Sequence, residues 1–189
     1  MSDAHDDQRR LSEQATVLRA QAGDRAAFHE LVDLYQRRLT YYVHRLIGNA
    51  DVAYDLLQET WLEVYRRLGQ LKSPAAFRVW LYRIAHHRAV KHLRRKAVEA
   101  RARETLATGA FEDSADDELE LLENVELVHH ALAQLSFEHR EALTLRFLEG
   151  MTIDEIADVA GCNEGTAKSR LHYAKAAMRK VLETERGHE

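Results

Sequence analysis

Lys168, Ser169, His172 and Tyr173 stand at i, i+1, i+4 and i+5, with Arg170 and Thr166 beside them. On a helix this spacing gathers an amine, a hydroxyl, an imidazole and a phenol on one face. An amine there can donate to guanine O6 and N7, and a hydroxyl or imidazole to other base edges. Arg170 and Thr166 suit phosphate oxygens, which fix register without reading sequence. The opposite positions, Ala167, Leu171, Ala174 and Met178, are apolar, as a face packed on a domain must be. The chain upstream is built to hold such a helix. Thr152 and Glu155 form a T-x-x-E capping box that starts a short helix, with Ile153, Ile156 and Ala157 on its inner side. Gly161 can end that helix, and Asn163 can cap the next one. The whole segment reads as a helix-turn-helix whose second helix fits the DNA major groove.

A second group lies on another predicted helix. Arg83, His87, Lys91 and Arg94 recur at i, i+4, i+8 and i+11, and Arg95 and Lys96 extend the charge. Such a stripe can follow a phosphate backbone. Trp80 shares the apolar side with Phe77 and Ile84, so it is expected in the core and not as a stacking platform. Asp51, Asp55, Gln58 and Glu59 form a third, polar group on the preceding helix. His86–His87 and His129–His130 are adjacent pairs whose members diverge by about 100° on a helix, unlike an i,i+4 metal pair. No spaced metal-ligand set, nucleophile elbow or phosphate-binding glycine loop is present. Neither a metal, a cofactor nor a catalytic residue is therefore expected.

The net charge of −4 conceals a division along the chain. Residues 62–96 hold ten Lys/Arg against one acid, Glu63, a balance of +9. Residues 97–126 hold ten acids against Arg101 and Arg103, a balance of −8. A basic block of that size can neutralise several phosphates. With 46% apolar and 31% charged residues, one proline and eight glycines, the composition suits a helical, water-soluble chain. Cys162 is the lone cysteine, which excludes an intramolecular disulfide and fits a reducing compartment. No apolar run approaches the roughly 20 residues of a membrane span, and the polar N-terminus does not resemble a signal peptide. A cytoplasmic protein without membrane insertion is expected.

The organisation follows: all-α, with two small helical domains joined by an acidic flexible linker. Residues 1–24 form an N-terminal segment with a first helix over 11–22. Residues 25–96 form the first domain, with helices over 25–47, 51–68 and 74–96; Ser73 and Pro74 serve as N-cap and N1 of the last. Residues 97–118, with the run EDSADDE, form the linker. Residues 119–189 form the second domain with the helix-turn-helix.

Two stretches of the first domain, DVAYDLLQETW (residues 51–61) and FRVWLYRIA (residues 77–85), resemble region 2 of a bacterial sigma-70-type factor. LSFEHREALTLRFLEG (residues 135–150), with EIA at 155–157 and GTAKSRL at 165–171, resembles region 4. Two such domains without a region 3 between them are similar to the extracytoplasmic-function (ECF) group. The chain departs from that group's usual residues at His87, Lys91, Ser136, Ala167 and Tyr173, where Asn, Asp, Pro, Val and Arg are common. The resemblance implies an alternative sigma factor with no enzymatic activity. Asp51, Asp55, Gln58 and Glu59 would dock on the β′ coiled coil of core RNA polymerase, and region 4 would meet the β flap. Lys72, Ser73, Arg83, His87, Lys91, Arg94, Arg95 and Lys96 would engage the −10 element of promoter DNA. Thr166, Lys168, Ser169, Arg170, His172 and Tyr173 would engage the −35 element. The linker would thread toward the polymerase active-site cleft, and an anti-sigma factor would hold the free protein. Two other classes compete with this reading. One is a stand-alone helix-turn-helix regulator, which needs a dimer interface that no heptad pattern supplies. The other is a helical enzyme or metal protein using the chain's eleven histidines, against which stands the lack of a spaced ligand set.

Overall fold

In a computed structural model, the backbone is described over residues 2–103 and 122–186; the remainder, including residues 104–118 of the expected linker, lies outside the described residues. Four helices precede the gap: α1 (Ser2–Gln21), α2 (Arg25–Ile47), α3 (Ala50–Arg67) and α4 (Phe77–Arg103). Four follow it: α5 (Leu122–Ala133), α6 (Phe137–Leu143), α7 (Ile153–Ala160) and α8 (Glu164–Arg186). Among the described residues there is no strand, and the fold is all-helical as the sequence predicts.

Local chemistry sets most boundaries. Asp24 accepts from the Ala27 amide and starts α2, and Asn49 accepts from Val52 and starts α3. Gly48 closes α2 at φ 71°, in the left-handed region that glycine enters without penalty. Ser136 accepts from the His139 amide as N-cap of α6. A π-turn over Thr144–Leu148 then leads to the helix-turn-helix.

Three boundaries differ from the sequence expectation. Helix α1 begins at Ser2, well before residue 11. Ser73 and Pro74 open a 3-10 turn, Pro74–Ala76, in which the Ser73 side chain makes no capping bond; α4 itself begins at Phe77. Helix α4 also continues to Arg103, past residue 96. Ala97, Ala100 and Ala102 favour the helix, and Arg95 and Glu99 make an i,i+4 pair at 3.6 Å.

One core runs through both halves of the chain. Leu31, Leu39, Tyr42, Leu57, Val64, Phe77, Leu81 and Tyr82 from α2–α4 join Leu145, Met151, Ile156 and Val159 from the second half. Trp80 lies in it beside Phe77, 8% exposed, as its apolar spacing predicts. A smaller cluster, Leu132, Leu135, Leu143, Leu171 and Ala174, binds α5 and α6 to α8. The inner face of the helix-turn-helix therefore rests on α4, which leaves the outer face of α8 to solvent.

Candidate nucleic-acid interface

The capping box that starts α7 is complete. The Glu155 amide donates to Thr152 Oγ1, and the Thr152 amide donates to Glu155 Oε2 at 2.9 Å. Gly161 ends α7 at φ 62°. Asn163 Oδ1 then accepts from the Thr166 amide at 2.8 Å and sets the start of α8. Ala167, Leu171 and Ala174 are buried, and Met178 packs partly buried beside them. Lys168, Ser169, His172 and Tyr173 are all exposed together on the opposite face. The His172 and Tyr173 rings meet edge to face at 5.5 Å, so the phenol and imidazole form one raised unit. Thr166 and Arg170 are half-buried at the margin. Arg170 Nη1 sits 3.8 Å from Cys162 Sγ, tying this guanidinium back toward the turn.

On α4, Arg83, His87, Lys91, Arg94, Arg95 and Lys96 are exposed, and Lys72 and Ser73 are exposed in the loop before it. The stripe is real, but fewer cations are free than the count of ten implies. Arg78 Nη2 lies 2.8 and 2.9 Å from the two Glu155 carboxylate oxygens, and its Nη1 donates to the Glu149 carbonyl at 3.1 Å. Arg88 reaches Glu59 Oε2 and Glu63 Oε2, each at 2.6 Å, and Arg67 reaches Glu63 Oε1 at 2.7 Å. Burial pushes the Glu63 carboxyl up, but hydrogen bonds from Arg88 and Arg67 win and hold it below its ordinary value. His87 is pushed the other way. Partial desolvation, and then the neighbouring His86 and Arg83, hold its pKa below 6.5. At neutral pH His87 therefore stands in the stripe as an uncharged imidazole. The same causes, burial first and then Arg95 and Lys96, lower His92.

On α3, Asp51, Asp55, Gln58 and Glu59 are exposed. Glu59 is already engaged by Arg88, which joins α3 to α4 in addition to whatever it offers a partner. The sequence reading passed over three apolar neighbours here. Tyr54, Leu62 and Tyr65 are 60%, 54% and 56% exposed. Their signal was available: Tyr54, Gln58 and Leu62 recur at i, i+4 and i+8, away from the buried Leu56, Leu57 and Val64. An exposed aromatic and aliphatic patch rimmed by carboxylates is the composition of a protein-docking face. Among the described residues no three His, Cys, Asp or Glu side chains are grouped as a metal ion would require. No described helix is long and apolar enough to cross a membrane.

Two protein families match the chain. The sigma-70 region 2 family matches residues 31–98, which include α3 and most of α4. The sigma-70 region 4 family matches residues 126–178, which include the helix-turn-helix. The RNA polymerase sigma-H factor of Pseudomonas aeruginosa is 35% identical over 181 residues, covering 90% of this chain and 94% of that protein. The ECF RNA polymerase sigma-E factor of Escherichia coli K12 is 35% identical over 178 residues, covering 89% and 93%. Among solved structures, CnrH in complex with the cytosolic domain of CnrY matches with a TM-score of 0.69 at 21% identity, covering 91% of this chain and 97% of that one. The sigma factor RpoE in complex with the anti-sigma factor NepR from Bartonella quintana gives 0.69 at 23% identity, covering 82% and 96%. With both regions matched in order and the sequence related over nearly its whole length, the chain belongs to the sigma-70 family of RNA polymerase sigma factors, in the ECF group.

Proposed function

We propose that this chain acts as an alternative sigma factor whose three exposed surfaces divide the work of promoter recognition and opening. The α3 face, with Asp51, Asp55, Gln58 and Glu59 around Tyr54 and Leu62, docks on the β′ coiled coil of core polymerase. The α4 stripe and the loop bearing Lys72 and Ser73 hold the backbone of the −10 element. The α8 face, with Lys168, Ser169, His172 and Tyr173, reads the −35 element, with Thr166 and Arg170 on phosphates, while the second domain meets the β flap. No covalent step is involved, and the protein works in the cytoplasm at the nucleoid. An anti-sigma factor is a further partner, a reading supported by the two similar structures, one a sigma factor with the anti-sigma factor NepR and one CnrH with the cytosolic domain of CnrY.

The observation that carries the proposal is the exposed quartet on α8, with its back buried on the same helix. Hydrogen-bonding side chains at four neighbouring exposed positions, on a helix fixed by a capped turn, are what base-edge readout needs. The test is co-purification with core polymerase, followed by run-off transcription on genomic fragments. Specific transcripts that need both the chain and core polymerase support the proposal. DNA binding that is specific without polymerase and unchanged by it would count for a stand-alone regulator instead.

A further inference from the structure

An apolar cavity with a charged edge lies away from the α3, α4 and α8 surfaces described above. It has a volume of about 650 Å³ and sits between α5, the π-turn and α8, with Tyr41 of α2 at one side. Leu132 and Leu143 are buried in its floor, and Met178 lines it half-buried from α8. Its mouth keeps Val128, Phe147 and Leu148 39%, 61% and 47% exposed. The π-turn over Thr144–Leu148 supplies the last two. The Glu149 amide bonds the Thr144 carbonyl at 3.3 Å, five residues back, so Leu145 stays buried while Phe147 and Leu148 face outward. Single π-turns are rare and recur at functional sites. The charge along the edge is uneven. Lys175 and Arg179, one turn apart on α8, line the cavity against one carboxylate, Glu183, a further turn on. Lys175 Nζ stands 5.4 Å from the Phe147 ring centroid, which holds the ammonium over the apolar mouth. Arg45 adds a guanidinium at the other side, 5.0 Å from the centre of the Tyr41 ring.

We propose that this cavity binds a single-chain anionic amphiphile, an alkyl carboxylate whose chain lies among Leu132, Leu143, Phe147 and Met178 and whose head group meets Lys175 and Arg179. The volume falls within the range of small-ligand pockets, roughly 300–1,000 Å³. In such a pocket the apolar wall supplies affinity by removing the chain from water, and a few polar groups fix orientation. Met178 suits an alkyl chain, because its unbranched thioether adapts to an irregular surface. The sign of the head group follows from the edge. An ammonium and a guanidinium one turn apart are charge-assisted donors to a carboxylate, whereas a cationic head would place like charge beside them. Glu183 repels the head from its own end of the edge and so sets the direction in which the chain lies.

Binding at this site requires neither polymerase nor promoter DNA, so it is tested on the free, full-length protein. The probe is dodecanoate below its micelle concentration, added to protein carrying carbon-13 methionine methyl groups. Met178→Leu assigns the Met178 resonance, and Met151, buried in the core, serves as the internal reference. Dodecanoate should shift the Met178 methyl saturably, with one site per chain, and leave Met151 in place. Decanoate should bind about tenfold more weakly, as two fewer buried methylenes predict. Lys175→Gln combined with Arg179→Gln should weaken dodecanoate binding about tenfold and leave dodecanol binding unchanged, while Glu183→Gln should strengthen dodecanoate binding. Phe147→Ser, at an exposed position, should weaken both ligands with far-UV circular dichroism unchanged. Absence of a saturable Met178 shift, equal binding of dodecyltrimethylammonium, or undiminished dodecanoate binding in the double variant would each overturn the site. A shift with phosphatidylglycerol vesicles but not with monomeric dodecanoate would assign the face to a membrane surface instead. A shift produced by raising the protein concentration, or by core polymerase, with none from dodecanoate would assign it to a second copy or to a partner protein.

Discussion

Tyr173 is the residue at which this chain departs from the common arginine of the sigma factors it resembles, on the α8 surface proposed to read DNA. It is 61% exposed and stacked edge-on with His172. A phenol offers one hydroxyl, whereas arginine forms a bidentate fork matched to guanine. Tyr173→Arg should shift −35 preference toward a guanine at the adjacent base, read in a randomised −35 library. In the same library, Lys168→Ala should cost roughly 1–3 kcal/mol on the best site and relax one or two base pairs, while Arg170→Ala weakens all sites alike. His87 makes a pH-dependent prediction. Its folded pKa lies below the ordinary 6.5 because of desolvation and then its neighbours His86 and Arg83, so the unfolded chain binds the proton more readily. The contribution of neutral His87 is present above 6.5 and is lost as pH falls through the lowered folded value. His87→Gln should therefore lose less thermal stability than the parent between neutral and mildly acidic pH; an equal loss in both would contradict the assignment.

At the scale of elements, each surface depends on a helix whose other side is anchored. Helix α3 is held to α4 by Arg88, which bridges Glu59 and Glu63, and its outer side keeps Tyr54 and Leu62 in water. Tyr54→Ala and Leu62→Ala should change stability by less than about 0.5 kcal/mol, as exposed substitutions do, yet weaken core polymerase binding. Charge reversal at Asp55 should do the same. Wild-type affinity in all three variants, measured by co-sedimentation with core polymerase, would remove α3 as the docking helix. Helix α7 depends on its capping box, so Thr152→Ala should lower stability by about 1 kcal/mol, visible as a lower melting temperature. The α4 stripe should act through phosphates. Arg83→Ala and Arg94→Ala should each reduce the salt slope of single-strand binding by about 0.7, with little change in −10 preference.

The molecule as a whole has one shared core and a set of polar bridges, so the two regions should not behave as independent beads. Leu145, Met151 and Ile156 lie in the same cluster as Phe77 and Leu81. Free protein should therefore unfold with the two regions coupled. Arg78→Ala, which removes the ion pair between α4 and Glu155 of α7, should split or broaden the thermal transition. A single sharp transition at the parent temperature would show that the bridge does not couple them.

Much of this protein is determined by short-range chemistry, and that part is legible in the sequence. The capping box at Thr152 and Glu155, the caps at Asp24, Asn49 and Asn163, and the apolar spacing of Ala167, Leu171 and Ala174 all act within one or two turns. Helices and their outward faces follow from such local rules, as do the exposed stripe on α4 and the quartet on α8. The sequence was less informative where helix boundaries depend on the summed propensity of residues such as Ala97 to Arg103, and where Ser73 before Pro74 opens a 3-10 turn with no side-chain capping bond. Tertiary structure alone decided which charges stay free. Tyr42 and Glu141 are 99 residues apart in sequence, Arg38 and Leu148 are 110 apart, and Arg78 and Glu155 are 77 apart. No local period brings such groups together. Their pairing depends on how α2 and α4 meet α6 and α7, and on the desolvation that makes a carboxylate choose one partner once water is gone.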